Sequence, residues 1–170
     1  VPITDEGRHF AQEYRVRLGD VDARGTLRVD GVARYLQDIA TDDWEDTGVA
    51  SSDVWVVRRT SLRLAPGARW PSYLDYLRFV TWCGGVGGAW AERRTNVYVN
   101  DELRLEAVAI WVPTDHDGHP VRMRPSFFEA YGEGVKARKV SGRVVTPPLP
   151  PNAPRRPWPL RRSDVDIVGH

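Results

Sequence analysis

Only one stretch of this chain carries a sustained helical period, and the four stretches that follow it all alternate as strands do. Asp30 is placed as an N-cap. Val32, Leu36, Ile39, Ala40 and Trp44 then recur at steps of three and four, and Gly48 supplies the stop. A helix with one apolar stripe must bury it against something. Val54 to Ala65 sets Val54, Val56, Leu62 and Leu64 on one face; Tyr73 to Cys83 alternates through Leu74, Tyr76, Val80 and Trp82; Ala89 to Val99 and Leu103 to Val112 follow. The last of these carries Leu103, Leu105, Ala107, Ala109 and Trp111 on one side and Val108, Ile110 and Val112 on the other, which predicts an interior place in a sheet. Asn100-Asp101 reads as a hairpin turn, the glycine run from Gly84 to Gly88 as a flexible connection, and Phe10 to Arg17 as a strand ahead of the helix.

One helix with an antiparallel sheet able to curl around it is an α+β arrangement of the hot-dog type, here expected over residues 8–142 with a short helix near Ser126 to Tyr131. From Thr146 to Pro159 come seven prolines, too many for a helix or an interior strand, so 143–160 reads as a semi-rigid linker. Residues 161–170 then repeat the front of the chain. Arg17-Leu18-Gly19-Asp20-Val21-Asp22 through Gly25 is answered by Arg161-Arg162-Ser163-Asp164-Val165-Asp166 through Gly169, an offset of 144 residues. That offset is about one domain, and it predicts tandem copies of one fold, of which 161–170 opens the second. A chain holding one copy is expected to form a homodimer through the sheet edge and helix that would otherwise stay open.

Composition excludes several classes. Twenty-four basic and twenty-three acidic side chains leave a formal charge of +1, with no field to attract nucleic acid or an anionic membrane. Cys83 is the sole cysteine, which excludes an internal disulfide and a cysteine-rich metal site and fits the cytoplasm. No apolar run approaches the roughly 20 residues of a membrane helix. The glycines at 84 to 88 lack the Lys-Ser/Thr of a phosphate loop, and His116-Asp117-Gly118-His119 reads as a surface loop in preference to a metal pair. No cofactor and no metal are expected.

At Trp55, Val56 and Arg59 the chain resembles the acyl-ACP thioesterases, double hot-dog enzymes that release fatty acids from acyl carrier protein and carry a Trp-Val-x-x-Arg pattern after the long helix. Their Arg-aromatic-Pro-x-x-x-Asp segment, ending in Thr-Trp, is matched by Arg69-Trp70-Pro71, Asp75 and Thr81-Trp82. Ala109-Ile110-Trp111-Val112 is similar to their last long strand, and Arg162 to His170 to the start of their second domain. The resemblance implies thioester hydrolysis within fatty acid biosynthesis, acyl carrier protein as partner, and a catalytic centre in the second domain. Of the family's Asp-x-Asn-x-His pattern, Asp166 and His170 match the first and last positions, while Val168 stands where plant members have Asn. Asp164 and Asp166 read equally as a solvated turn capping the next helix.

Thioester hydrolysis needs a base or nucleophile, donors for the oxyanion and a slot for the acyl chain. The N-terminus of the long helix, near Asp30-Gly31, offers donors. No His or Asn follows Asp22 at the spacing seen after Asp166, so this copy alone is expected to be inactive. Leu36, Ile39, Trp44, Val56 and Trp111, with Arg59, are the candidate substrate-binding residues; the apolar ones read equally as core. Arg58, Arg59, Arg93, Arg94 and Lys136 to Lys139 are candidates for docking an acidic carrier. Two alternatives stay open: a non-catalytic acyl-binding module, and a single hot-dog acyl-CoA thioesterase acting as a dimer through Asp22.

Overall fold

The computed structural model describes residues 7–50, 53–143, 147–162 and 165. In chain order the elements are β1 (His9–Arg15), α1 (Val29–Asp46), β2 (Val54–Leu64), β3 (Tyr76–Val86), β4 (Ala91–Val99), β5 (Glu102–Thr114) and α2 (Pro125–Tyr131). The strands form one antiparallel sheet ordered β1-β3-β4-β5-β2, with α1 across one face. This is the expected α+β hot-dog architecture. Interior β5 and the Asn100-Asp101 hairpin, with φ of 51° and 62°, also match expectation. Among the described residues no helix is long and apolar enough to cross a membrane.

Several local expectations are corrected. Helix α1 starts at Val29 with Arg28 in the cap position; Asp30 lies in the first turn, where its carboxylate accepts from the Arg28 guanidinium at 2.9 Å. Strand β3 starts at Tyr76, because Ser72 to Asp75 closes a turn with Leu74 at φ 70°. The face it turns to α1 is the opposite of the one alternation favours, although Trp82 of the expected set is also buried, at 3% exposed. Leu77, Phe79, Thr81 and Cys83 point to α1, while Leu74 and Tyr76 are 45% and 60% exposed. Both alternate sets are apolar, so period alone cannot choose; Tyr76 is instead covered by the Arg15 guanidinium at 5.4 Å on the outer face.

The glycine run is no flexible joint. Strand β3 runs on through Gly84 and Gly85 to Val86, and the chain returning from α2 lies on it: Val86 N–H donates to the Arg138 carbonyl and Val140 N–H to the Val86 carbonyl. A Cβ at Gly85 would sit 2.4 Å from the Arg138 oxygen.

The core is Val16, Leu27, Val32, Tyr35, Ile39, Leu77, Phe79, Val97, Val99 and Leu105. No residue of edge strands β1 and β2 is fully buried. The 18-residue α1 is about 27 Å long and 10–12 Å wide, whereas five strands span about 19 Å between their outer axes. One helix cannot cover that width, and α1 lies nearest β1 and β3.

Two further features set the geometry. A bulge at Arg58 shifts the register of β2 between Val57 and Arg59, so Val56 pairs with Val112 and Arg59 with Ile110 on the outer face. Val57, Thr60 and Leu62 pair with Trp111, Ala109 and Ala107 on the helix face. The expected common face of Val54, Val56, Leu62 and Leu64 is thereby split. At the other side, Asp20 ties the β1–α1 connection to the helix: it is 8% exposed and accepts from Arg17 N–H (3.1 Å), the Tyr35 hydroxyl (2.5 Å) and Arg34 Nη2 (2.5 Å).

Burial alone pushes the Asp20 carboxyl up, but the Tyr35 and Arg17 hydrogen bonds and the Arg34 and Arg28 charges outweigh it and leave the group below its ordinary value. A carboxyl depressed in the folded state stabilises above its unfolded pKa and loses that contribution as pH falls through the folded one. The Asp20→Asn protein should be about 1–3 kcal/mol less stable than wild type at pH 7, and the gap should close below about pH 4. Denaturant unfolding across pH 7 to 2.5 checks this, and a constant gap would contradict it.

Candidate functional site

Because α1 leans toward β1 and β3, a groove stays open between its other flank and the β5–β2 side of the sheet. The groove has two lobes, of about 210 and 220 Å³, which share Gln37, Arg93 and Trp111. Small side chains make the first lobe: Ala33 of α1, Thr60 of β2, and Ala107 and Ala109 of β5 leave space that Leu36 and Val57 fill only in part. The second lobe ends in an aromatic wall. Helix α2 opens with Pro125 at its N-terminus and sets Phe127 and Tyr131 four residues apart on one face. Their rings lie 4.7 Å apart; Trp55 stands 5.5 Å from Phe127 and Trp44 stands 6.4 Å from Tyr131. Each lobe falls below the roughly 300–1,000 Å³ of a small-molecule site, and the two joined fall within it.

The groove floor holds a buried ionic hub. Asp43, 1% exposed on α1, accepts from Arg8 Nε at 2.8 Å through one carboxylate oxygen, and through the other from Arg93 Nη1 at 2.6 Å and the Tyr131 hydroxyl at 2.8 Å. Arg93 also donates to Thr81 Oγ1 at 3.2 Å and to the Tyr131 oxygen at 3.0 Å. Burial works against the Arg93 charge, yet Tyr131 and Asp43 outweigh it and hold the guanidinium more firmly protonated than usual. Burial pushes the nearby Cys83 thiol up to about 11, away from nucleophilic use.

Of the candidate substrate-binding residues, Leu36, Trp44 and Trp111 line the groove. Ile39 does not; it is 0% exposed within the core. The Arg58 bulge turns Val56 to the outer face, where ordinary alternation with Thr60 already puts Arg59 and its Nη1 donates to the Arg143 carbonyl. Two candidate docking cations are otherwise engaged, Arg93 in the hub and Arg94 with Glu92 at 2.6 Å. Asp22 is exposed and accepts the backbone N–H groups of Thr26 and Arg24, both at 2.9 Å; those bonds hold it below its ordinary pKa. Asp164, Asp166 and His170 lie outside the described residues. In the loop after β5, the Asp115 carboxylate accepts the N–H groups of Asp117 and His119, and both histidines are exposed.

Sequence reasoning missed Val57, Thr60 and Tyr131, and it singled out Trp55 only as a motif residue and Arg93 only as a docking cation. One signal was present. Asp43 sits four residues after Ile39 on the apolar stripe, and a charge in a core position demands a buried partner.

A family model for the acyl-ACP thioesterase N-terminal domain matches residues 7–131. An uncharacterized protein of Mycobacterium tuberculosis is 25% identical over 166 residues, covering 96% of this chain; this chain spans 65% of that relative. The chloroplastic oleoyl-acyl carrier protein thioesterase of Coriandrum sativum is 22% identical over 129 residues, 68% of this chain and 34% of the relative. Among solved structures, a Lactobacillus plantarum protein provisionally described as an oleoyl thioesterase superposes with a TM-score of 0.76 at 16% identity, over 98% of this chain and 67% of its own. The 4-hydroxybenzoyl CoA thioesterase of Pseudomonas sp. strain CBS-3 gives 0.66 at 17% identity, over 72% of this chain and 99% of its own. These likenesses share the hot-dog fold. With the match at 7–131 taking in every strand of the sheet and both helices, the chain belongs to the acyl-ACP thioesterase family and carries its N-terminal domain.

Proposed function

We propose that this chain is the acyl-holding part of a tandem hot-dog thioester hydrolase, which releases free fatty acids from acyl carrier protein in the cytoplasm. The observation that carries the reading is the two-lobed groove beside α1, apolar along most of its length and walled by Trp44, Trp55 and Phe127. Two findings support the tandem arrangement: the repeat at 161–170 of the segment before α1, and the longer relatives of which this chain covers about two thirds. In this division, 8–142 is the acyl-holding domain, 143–160 the linker and 161–170 the opening of the catalytic domain. The outer edge of β2, unpaired among the described residues and bordering the groove, is where the second unit closes; a chain limited to one copy fills that edge with another copy of itself.

Hydrolysis breaks the bond between the acyl carbon and sulfur, adds a water oxygen to the carbon, and returns a proton to the departing thiolate. Asp166 serves as base, nucleophile or orienting carboxylate, and His170 as its partner or a substrate-positioning donor. A helix N-terminus supplies N–H donors for the oxyanion. Asp22, with its carboxylate engaged in a backbone turn, has no equivalent histidine in this copy.

The near-complete coverage of a single-domain CoA thioesterase by part of this chain favours a second reading, a homodimeric acyl-CoA thioesterase using Asp22. Hydrolysis of dodecanoyl thioesters, on carrier protein and on coenzyme A, separates the two. The tandem reading predicts little turnover by this chain, full turnover by a version extended past His170, and a loss of about 10²-fold or more in that version with Asp166→Asn. Comparable turnover by the short chain, abolished by Asp22→Asn, would overturn it.

The groove itself is tested by two alanines. Ile39→Ala should cost about 2–5 kcal/mol of stability with little direct effect on dodecanoate affinity. Leu36→Ala should cost less than half of that and weaken dodecanoate about three- to tenfold. Denaturant unfolding and calorimetric titration give both numbers, and the reverse pattern would contradict the assignment.

A further inference from the structure

Two charged residues, Glu92 and Arg93, line the groove, and only Arg93 lines both lobes. Arg93 lies where the lobes meet, and it lines both, together with Gln37 and Trp111. A guanidinium offers five N–H donors in a fixed plane. Three are used within the protein: two on Nη1, to Asp43 and Thr81, and one on Nη2, to Tyr131. Nε–H and the second Nη2–H have no partner among the described residues, and the side chain keeps 15% of its surface exposed. Its position is built: Asp43 is pinned from its other oxygen by Arg8, and Tyr131 bonds both members of the pair.

An unsubstituted methylene chain laid across Arg93 would strip water from those donors and offer nothing in exchange, a loss that burial makes expensive. We infer that Arg93 selects acyl groups bearing a neutral oxygen, as hydroxyl, keto or ether, at the point where the chain passes from one lobe to the other. The inference rests on the acyl reading above and narrows its substrate class.

The thioester oxygen cannot be that acceptor when the carbonyl sits at the start of α1, because Gln37 lies eight residues past Val29, about 12 Å along the axis. A neutral oxygen fits better than a second carboxylate. Asp43 and Asp46 already balance Arg8 and Arg93, so another anion would enter a partly buried site uncompensated.

The test is calorimetric titration of the whole chain with dodecanoate and with monohydroxydodecanoates whose hydroxyl is moved carbon by carbon along the chain. A mid-chain isomer should bind about tenfold tighter than dodecanoate, with the preference confined to neighbouring positions. Arg93→Lys can keep a charge pair with Asp43 but lacks the planar fork, and should bring that ratio close to one. The inference is overturned if dodecanoate binds as tightly as every isomer, or if folded Arg93→Lys keeps the preference. If that variant does not fold, the wild-type series decides alone. Binding of neither ligand class overturns the acyl reading, and this inference with it; dodecanoate binding without a hydroxyl preference overturns only the inference.

Discussion

A lone helix is too narrow for the sheet it must cover. At about 10–12 Å across, α1 shields roughly half of the distance between β1 and β2, and the covered half is closely packed. Leu77, Phe79, Val97 and Leu105 meet Val32, Tyr35 and Ile39 there. On the other half the sequence turns to Thr60, Thr95, Ala107 and Ala109, which cannot fill the space beside the helix. The groove is therefore a consequence of side-chain size placed against a fixed helix width. Its open flank borders β2, which among the described residues pairs only with β5.

Two buried carboxylates fix where the helix lies. Asp20 reaches Tyr35 and Arg34 in the first half of α1, while Asp43 in the second half is held by Arg8 from the segment before β1, Arg93 from β4 and Tyr131 from α2. Apolar contacts alone would allow α1 to roll across a smooth sheet. Buried ion pairs add little net stability after desolvation, but removing one partner costs about 3–5 kcal/mol, so they penalise any other position. The hub at Asp43 also fixes the guanidinium that divides the groove. One network thus joins the pose of the helix to the chemistry of the site.

Much of the fold was legible because helical and strand periods are local signals. Val32 to Trp44 has one stripe, β5 is apolar on both sides, and Asn100-Asp101 admits the positive φ values that its turn requires. The site was less legible, because its geometry depends on parity and on pairs distant in sequence. The extra residue at Arg58 moves Val56 off the helix face that Thr60, Leu62 and Leu64 keep and puts Val57 there instead, and nothing in an alternating pattern marks where a bulge falls. Ile39 and Leu36 share the stripe; only the lean of the helix makes one core and the other groove. Gly85, in a run that resembles a flexible joint in one dimension, is required by the backbone returning from α2, while Gly84 makes room for the Glu92 and Arg94 side chains.

The central claim is that the uncovered half of the sheet, beside α1, receives an acyl chain with its far end toward the aromatic wall. A crystal structure with 12-bromododecanoate bound tests it most directly, since anomalous scattering locates the bromine without reference to the rest of the ligand. The account predicts a bromine peak in the lobe walled by Trp44, Trp55, Phe127 and Tyr131, with the chain passing between Arg93 and Gln37. A peak on the outer face of the sheet, or an occupied ligand elsewhere with the groove filled by repacked side chains, would contradict it.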